Sequence, residues 1–274
     1  MDFERLTEVA IAAARAAGTV IRAHVGAPLA VRRKSGGDTL ASQVLTKVDL
    51  AAEAALLAVL QPSTDAYGIA LLTEERPDDG SRFARAYFWC VDPLDGTLAF
   101  AHGEPGFSVA IALVARDGTP HIGVVYDPST DTLYHARRGG GAFRNGAPWH
   151  YSRTNSYLTY VTDAPLPEGP RARRVQLSLK PVAASLAGDT VELVGGGAVL
   201  NAIRVAENGP AVMLKPPKRA LGGGSLWDYA ATACLFGELG LAATDFAGRR
   251  LDLNRRGGTF MNEAGVRFAN LSAA

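Results

Sequence analysis

Trp89-Cys90-Val91-Asp92-Pro93-Leu94-Asp95-Gly96-Thr97 places two carboxylates, Asp92 and Asp95, at the mouth of an apolar run that begins at Ala86. Tyr87, Phe88, Trp89 and Val91 are aromatic or β-branched, so the run is predicted as a strand. Pro93 cannot continue a central ladder and is expected to end it. Gly96-Thr97 then supplies a tight turn whose N–H groups can face an anion. Two carboxylates about 4 Å apart repel by roughly 4 kcal/mol at an effective dielectric of ~20. Gathering several of them requires protonation or a cation. All-oxygen ligands suit Mg²⁺, Mn²⁺ or Ca²⁺ better than zinc. A cation held between carboxylates and a phosphate reconciles the acidic pair with the anion-seeking turn. Alone, the same five residues from Asp92 to Gly96 read equally well as a surface turn.

Three further segments tip that balance. Tyr67 to Leu72 is another apolar run, and it leads to Thr73-Glu74-Glu75. Adjacent strand residues point to opposite faces, so only one glutamate faces a shared site. Glu74 is taken as the ligand, with Glu75 in support behind it; a solvated acidic strand end is the plainer alternative. Asp49 follows Leu45-Thr46-Lys47-Val48 and opens a helical pattern over Leu50 to Leu60, where a carboxylate also serves as a cap. Asp228 follows Gly222-Gly223-Gly224-Ser225-Leu226-Trp227, ahead of an apolar helix predicted to reach about Gly240. Ser225 or Gly224 can cap that helix, with Asp228 in its first turn. Helix-dipole compensation would account for Asp228 alone, yet a carboxylate beside Trp227 in an apolar segment needs a partner.

In this order and spacing the four segments resemble the inositol monophosphatase family. These are metal-dependent, lithium-sensitive phosphomonoesterases, and they include 3′(2′),5′-bisphosphate nucleotidases and fructose-1,6-bisphosphatases. The family's Asp-Pro-Ile/Leu-Asp-Gly-Thr pattern stands at Asp92 to Thr97 and its paired glutamates at Glu74-Glu75. Its Thr-x-x-Asp stands at Thr46 to Asp49, and its Trp-Asp-x-Ala-Ala at Trp227 to Ala231. The likeness spans about Leu6 to Phe268. It implies an α/β (α+β) fold, a layered α/β/α/β/α sandwich forming a single phosphatase domain over 1–274. Its subdomains would cover about 1–150 (metal-binding, antiparallel sheet) and 151–274 (substrate-side, α/β), with the active site between them.

The resemblance also implies roles. One Mg²⁺ lies on Glu74, Asp92 and the Leu94 carbonyl, and a second on Asp92, Asp95 and Asp228. Glu75 supports a weaker third. Mn²⁺ is an alternative cofactor, and Li⁺ or Ca²⁺ is expected to inhibit. Catalysis falls to Asp49, Thr97 and Glu74: a metal-activated water, oriented by a Thr97 hydroxyl bonded to Asp49, attacks phosphorus in line. The Gly96 and Thr97 N–H groups hold the phosphate, and Gly196 and Gly197, at a helix start, line the substrate pocket. The chain departs from the family pattern at Thr73, where glycine is usual, and at Leu98-Ala99-Phe100, where Asn-Phe or Arg-Phe often follows. Leu221 stands where inositol-selective members carry glutamate.

Lys215-Pro216-Pro217-Lys218-Arg219 is the one basic cluster near a candidate site. A solvated surface loop is its plain reading; contact with a second substrate phosphate, led by Lys215, is the sharper one. Together with Leu221 it leans the substrate toward 3′-phosphoadenosine 5′-phosphate. Inositol monophosphates and a sugar phosphate are the alternatives.

With 47% hydrophobic and 20% charged residues over 274 positions, the chain can bury a sizeable core, and a net charge of +1 implies no nucleic-acid partner. Cys90 and Cys234 lie in apolar segments and read as buried free thiols of a reducing compartment. No membrane-length apolar run and no basic leader are present, so a cytoplasmic protein without membrane partners is expected, as monomer or homodimer.

Phe3, Leu6, Val9, Ala13, Ala17, Val20 and Ile21 have helical spacing. Val31 to Gln43 reads either as a mobile loop able to close over the site or as a solvated hairpin. Phe107 to Ala136 reads as an antiparallel meander, with turns at Asp117-Gly118 and after Asp127. Arg137-Arg138 beside Gly139-Gly140-Gly141 imitates a phosphate loop, but no helix follows it. Beyond Tyr151 a strand at Val191 to Val194 leads into Gly195-Gly196-Gly197 and a predicted helix, an anion- or hydroxyl-seeking start.

Two other classes compete. Haloacid-dehalogenase phosphatases carry Asp-x-Asp-Gly-Thr, but here two residues separate the aspartates. A metal- or nucleotide-binding regulator with a decayed site is the non-enzyme reading, against which every expected ligand type is present.

Overall fold

The Asp2 side chain accepts the Arg5 amide at 2.9 Å and starts α1 (Phe3–Arg22), whose Leu6, Ala10, Ala13, Ala17 and Ile21 form one buried stripe. The computed structural model describes residues 1–26, 32–33, 44–45, 47–165, 168–186 and 189–271. Within the segment 31–43 only β1 (Arg32–Arg33) is described, paired antiparallel with β2 (Val44–Leu45). The proposed closing loop and Thr46 otherwise lie outside the described residues. Helix α2 (Lys47–Tyr67) follows, longer at both ends than its apolar pattern and running through Pro62.

The first large sheet then forms from β3 (Ala70–Thr73), β4 (Tyr87–Asp95), β5 (Ser108–Ala115), β6 (Pro120–Asp127), β7 (Thr132–Arg137), β8 (Gly141–Arg144) and β9 (Ala147–Pro148), in sequential order. A short helix, α3 (Thr97–His102), separates β4 from β5. All neighbours are antiparallel except β3 and β4, which run parallel; the expected antiparallel sheet is therefore mixed at this edge. The second sheet contains β10 (Leu158–Thr162), then, after α4 (Pro170–Ala184), β11 (Thr190–Val194), and, after α5 (Ala198–Glu207), β12 (Ala211–Lys215). Helix α6 (Leu226–Leu239), β13 (Ala242–Thr244) and β14 (Val266–Asn270) complete it, with strand order β11-β10-β12-β14-β13. Strands β10, β11 and β12 are parallel.

Alternation within β4 and β5 explains the layering. Trp89, Val91, Val109, Ile111 and Leu113 pack with α1 and α2. Phe88, Cys90, Ala110, Ala112 and Val114 pack with α5, α6 and the inner face of the second sheet. The outer face of that sheet, through Leu158, Tyr160, Val212 and Leu214, covers α4 at Val175, Leu179 and Ala183. The order is α1/α2, sheet, α5/α6, sheet, α4, the five-layer sandwich implied by the resemblance. Strands buried on both faces cannot show polar alternation, which is why the run from Phe107 to Ala115 is almost wholly apolar. Cys90 and Cys234 are buried free thiols, each pushed well above the ordinary thiol range by burial. Among the described residues no helix is long and apolar enough to cross a membrane.

Candidate active site

The strand that carries the acidic pair does not stop at Pro93. β4 continues to Asp95, but its register against β5 slips: Asp92 faces Ala110 and Asp95 faces Ser108. Three steps on one strand against two on the other make a bulge, and a proline missing its N–H is tolerated there. The bulge turns both carboxylates the same way. Asp92 accepts the Leu94 amide at 3.0 Å, tightening the turn.

Each remaining carboxylate arrives from a different element. Thr73 of β3 pairs with Val91, and the Glu74 amide donates to the Val91 carbonyl at 3.2 Å, which sets Glu74 beside Asp92. Glu75 follows, half-buried. Asp228 stands in the first turn of α6 and forms a capping box with Ser225. Carboxylate oxygens of Asp92, Asp95 and Asp228 all lie within 4.8 Å of one another. The helix-cap reading of Asp228 therefore holds alongside membership in the acidic cluster. Burial first, then the charges of Asp228 and Glu74, hold the Asp95 carboxyl well above the usual carboxylate range. Such a set, with carboxylate oxygens as its only ligand atoms, fits a hard divalent cation such as Mg²⁺.

Asp49, on α2, is 1% exposed, and its Oδ1 lies 3.0 Å from the Thr97 hydroxyl. The Leu94 carbonyl lies 3.0 Å from the same hydroxyl. A hydroxyl has one proton, so Thr97 donates to one of these acceptors at a time and keeps lone pairs to accept with. Gly96, at φ +82°, caps α3; a Cβ there would lie 2.5 Å from the Gly106 carbonyl oxygen. Only glycine satisfies both conditions.

The joint with the second sheet is the feature that sequence reading missed. Asp95 accepts the Ala198 amide at 3.1 Å and the Val199 amide at 3.0 Å, so it caps α5 from another layer. Gly197 has no side chain to do this, and a Cβ on it would lie 2.1 Å from Asp95 Oδ2. The Gly197 amide donates to the Gly106 carbonyl at 2.7 Å, and the Arg204 guanidinium holds the Gly195 carbonyl. Gly196 and Gly197 are thus brought against Asp95 and Gly96. The triple glycine signalled the helix start; nothing local signalled that its cap would come from residue 95.

Lys215 differs from its plain sequence reading. It ends β12, is 7% exposed, and its Nζ lies 2.7 Å from Asp163 Oδ2. It is a buried strand end with a charge partner, not part of a solvated loop. Leu221 is exposed, as is His102 at the end of α3. The glycine turn after Arg138 resembles an anion loop because it is one: the Gly139 and Gly141 amides each donate at 2.8 Å to the carboxylate of Glu238.

Thr73, the departure from the glycine pattern, donates its hydroxyl at 2.9 Å to Glu53, a buried carboxylate on α2. Sequence reading passed over Glu53, although its position four residues after Asp49 places both acids on one helix face.

An oxygen-lined acidic cluster, set among a strand bulge, a helix start and a glycine loop, is a group that could hold a metal ion. The chain belongs to the inositol monophosphatase family, whose family model matches residues 2–272. It is 39% identical over 142 residues to an inositol-1-monophosphatase of Mesorhizobium japonicum, covering 51% of this chain and 50% of that one. It is 36% identical over 142 residues to the Nus factor SuhB of Escherichia coli K12, covering 52% of this chain and 50% of that one. These alignments span about half the length of the curated relatives. The fold matches an inositol monophosphatase from Anabaena (Nostoc) sp. PCC 7120 with a TM-score of 0.70 and 25% identity, over 99% of this chain and 93% of that one.

Proposed function

We propose that this chain is a metal-dependent phosphomonoesterase acting on a small phosphorylated metabolite. The observation that carries the reading is the convergence of Asp92, Asp95 and Asp228 within 4.8 Å, beside the Gly96-Thr97 helix start. Glu74, Asp92, the Leu94 carbonyl, Asp95 and Asp228 would hold Mg²⁺, with Mn²⁺ as a substitute and Glu75 in support. Bound divalent ions supply charge for the phosphoryl oxygens and acidify water. The protein's part is placement. Asp49 accepts the hydrogen bond that the Thr97 hydroxyl donates, which leaves the Thr97 Oγ lone pairs to accept from and aim the attacking water. Gly96 and Thr97 amides orient the phosphate at the start of α3. Gly196 and Gly197 bring backbone rather than side chains to the substrate, and the same carboxylates would admit Li⁺ or Ca²⁺ as inhibitory competitors of Mg²⁺.

Two substrates are the sharpest candidates. Leu221, in the place of the acid expected for inositol, and the Lys215–Arg219 cluster support 3′-phosphoadenosine 5′-phosphate; the name of the Mesorhizobium relative supports inositol 1-phosphate. Phosphate release from both, and from a sugar phosphate, is measured with Mg²⁺ and with chelator. Release that needs Mg²⁺ is expected for at least one. No release from any, in protein that still binds Mg²⁺, would overturn the enzyme reading in favour of a regulator that keeps only the binding site.

A further inference from the structure

Helix α2 carries two buried carboxylates one turn apart, and only Asp49 has a place in the chemistry above. Glu53 is 5% exposed, in a stretch of α2 whose other buried residues include Ala52, Leu56 and Leu57. Burying a carboxylate there costs free energy that an apolar side chain would not. What Glu53 holds is specific. Its Oε1 accepts the Thr73 hydroxyl at 2.9 Å and its Oε2 accepts Arg76 Nε at 3.1 Å. Residues 73 and 76 bracket Glu74-Glu75. β3 is the edge of its sheet, with β4 as its strand neighbour, and the strand ends at Thr73. The ladder thus ends at Glu74 itself, whose amide makes the last bond to β4 at the Val91 carbonyl, and the chain beyond leaves the sheet just where the placement of Glu74 matters most. The Glu53 carboxylate clasps that segment from both sides.

We infer that Glu53 is a positioning residue that delivers Glu74 to the metal site through Thr73 and Arg76. The inference rests on the metal reading of the site. It makes α2 a two-point frame: Asp49 fixes the Thr97 hydroxyl, and Glu53, one turn on, fixes the end of β3. Both parts of the site then keep their relation to one rigid helix. The two clasping contacts are unequal. Thr73 is 2% exposed, whereas the Arg76 side chain is 54% exposed and its ion pair is screened by solvent. The hydroxyl bond is the stronger constraint.

The test titrates Mg²⁺ alone into metal-free, full-length protein by calorimetry, with melting temperature recorded for each variant. Thr73→Val keeps the shape of the side chain and removes the bond. Its Mg²⁺ dissociation constant should rise ~10–100-fold, the range seen when groups orienting a metal ligand are lost. Thr73→Ser should restore binding to within about threefold, since the hydroxyl is all the clasp requires. Glu53→Gln keeps an acceptor for Thr73 but not the charge for Arg76, and should weaken binding by less than Thr73→Val. Thr73→Ala, which removes the same hydroxyl with a smaller side chain, carries the test if Thr73→Val does not fold. Mg²⁺ binding within twofold of the parent in Thr73→Val, or in Thr73→Ala if that variant must stand in, would overturn the inference even with a lowered melting temperature. Absence of Mg²⁺ binding in the unmodified protein would instead overturn the metal reading, and this inference with it.

Discussion

The two sheets contribute to the site in different ways. The first contributes charge: Glu74 from the end of β3, and Asp92 and Asp95 across the bulge in β4, on strands whose neighbours are buried on both faces. The second contributes shape. From the carboxyl end of β11 it presents a run of three glycines, and from β12 a buried lysine already matched by Asp163. Its edge strand β11 is exposed along most of its length. Two of the three clustered carboxylates thus come from the deeply packed layer, where positions resist displacement, the third, Asp228, comes from α6, and the glycine backbone comes from the more open sheet. Asp95 belongs to both, since it joins the acidic cluster and caps α5. The contrast sets where substitutions should act: on the chemistry in the first sheet, on folding and chemistry together at the joint, and on substrate choice in the second.

The largest effect is expected from Asp92→Asn. The side chain is 1% exposed and nearly isosteric with its replacement, so the fold should survive. Losing a direct ligand should exceed the roughly 10–100-fold cost of losing a ligand's support, so turnover should fall by more than ~100-fold. The rise in melting temperature produced by Mg²⁺ should shrink too, because that rise measures binding to the native state. Near-normal turnover would remove the first sheet from the chemistry and collapse the contrast.

Gly197→Ala probes the joint. Gly197 has φ −73°, so alanine meets no backbone penalty; the effect is steric, from a Cβ placed 2.1 Å from Asp95 Oδ2. Overpacking of this kind costs about 1–3 kcal/mol. That corresponds to a melting temperature lower by several degrees, at ~2–4 °C per kcal/mol for a chain of this size. Displacing Asp95 should also cut turnover at least ~10-fold, as ångström-scale misplacement does. Gly237→Ala in α6, where a Cβ meets nothing within 4 Å, is the control and should leave both quantities unchanged or raise stability slightly. Loss of stability without loss of turnover would show that the joint only holds the layers together.

The same contrast separates what could be read from the chain from what could not. Asp92, Asp95, Glu74 and Asp228 could be singled out because each sits where an apolar run meets a helix start or strand end, which is a local pattern. The cap that Asp95 places on α5 joins residues more than a hundred positions apart, and no local pattern encodes it. Pro93 misled for a related reason: the rule that proline ends a central strand holds for a regular ladder, and β4 escapes it through a bulge that depends on the register of β5. Lys215 misled because the prolines after it suggested a loop, whereas pairing with β14 extends β12 to include it. Glu53 was legible in principle, as an acid one turn from Asp49 on an apolar helix face, but its partners lie on another element.

The smallest and most selective effect is expected from Lys215→Met. Lys215 ends one of three parallel strands, and its Asp163 partner follows another; ligands of open α/β sheets gather at such carboxyl ends. Methionine keeps an unbranched apolar stem of similar length, so packing is largely preserved. Asp163 is left without the Lys215 ammonium, but its side chain is 45% exposed and water can solvate it. The stability cost should therefore fall below the ~3–5 kcal/mol of a fully buried pair. A charged hydrogen bond to a second phosphate would contribute about 1.5–3 kcal/mol, and competition from Asp163 lowers that figure. KM for 3′-phosphoadenosine 5′-phosphate should accordingly rise about fivefold, while KM for inositol 1-phosphate moves by less than about twofold. Equal shifts for the two substrates would show that Lys215 acts only through the scaffold. Preserved KM for both would make the pair with Asp163 its whole role, and the second sheet would then select substrate through its glycine backbone alone.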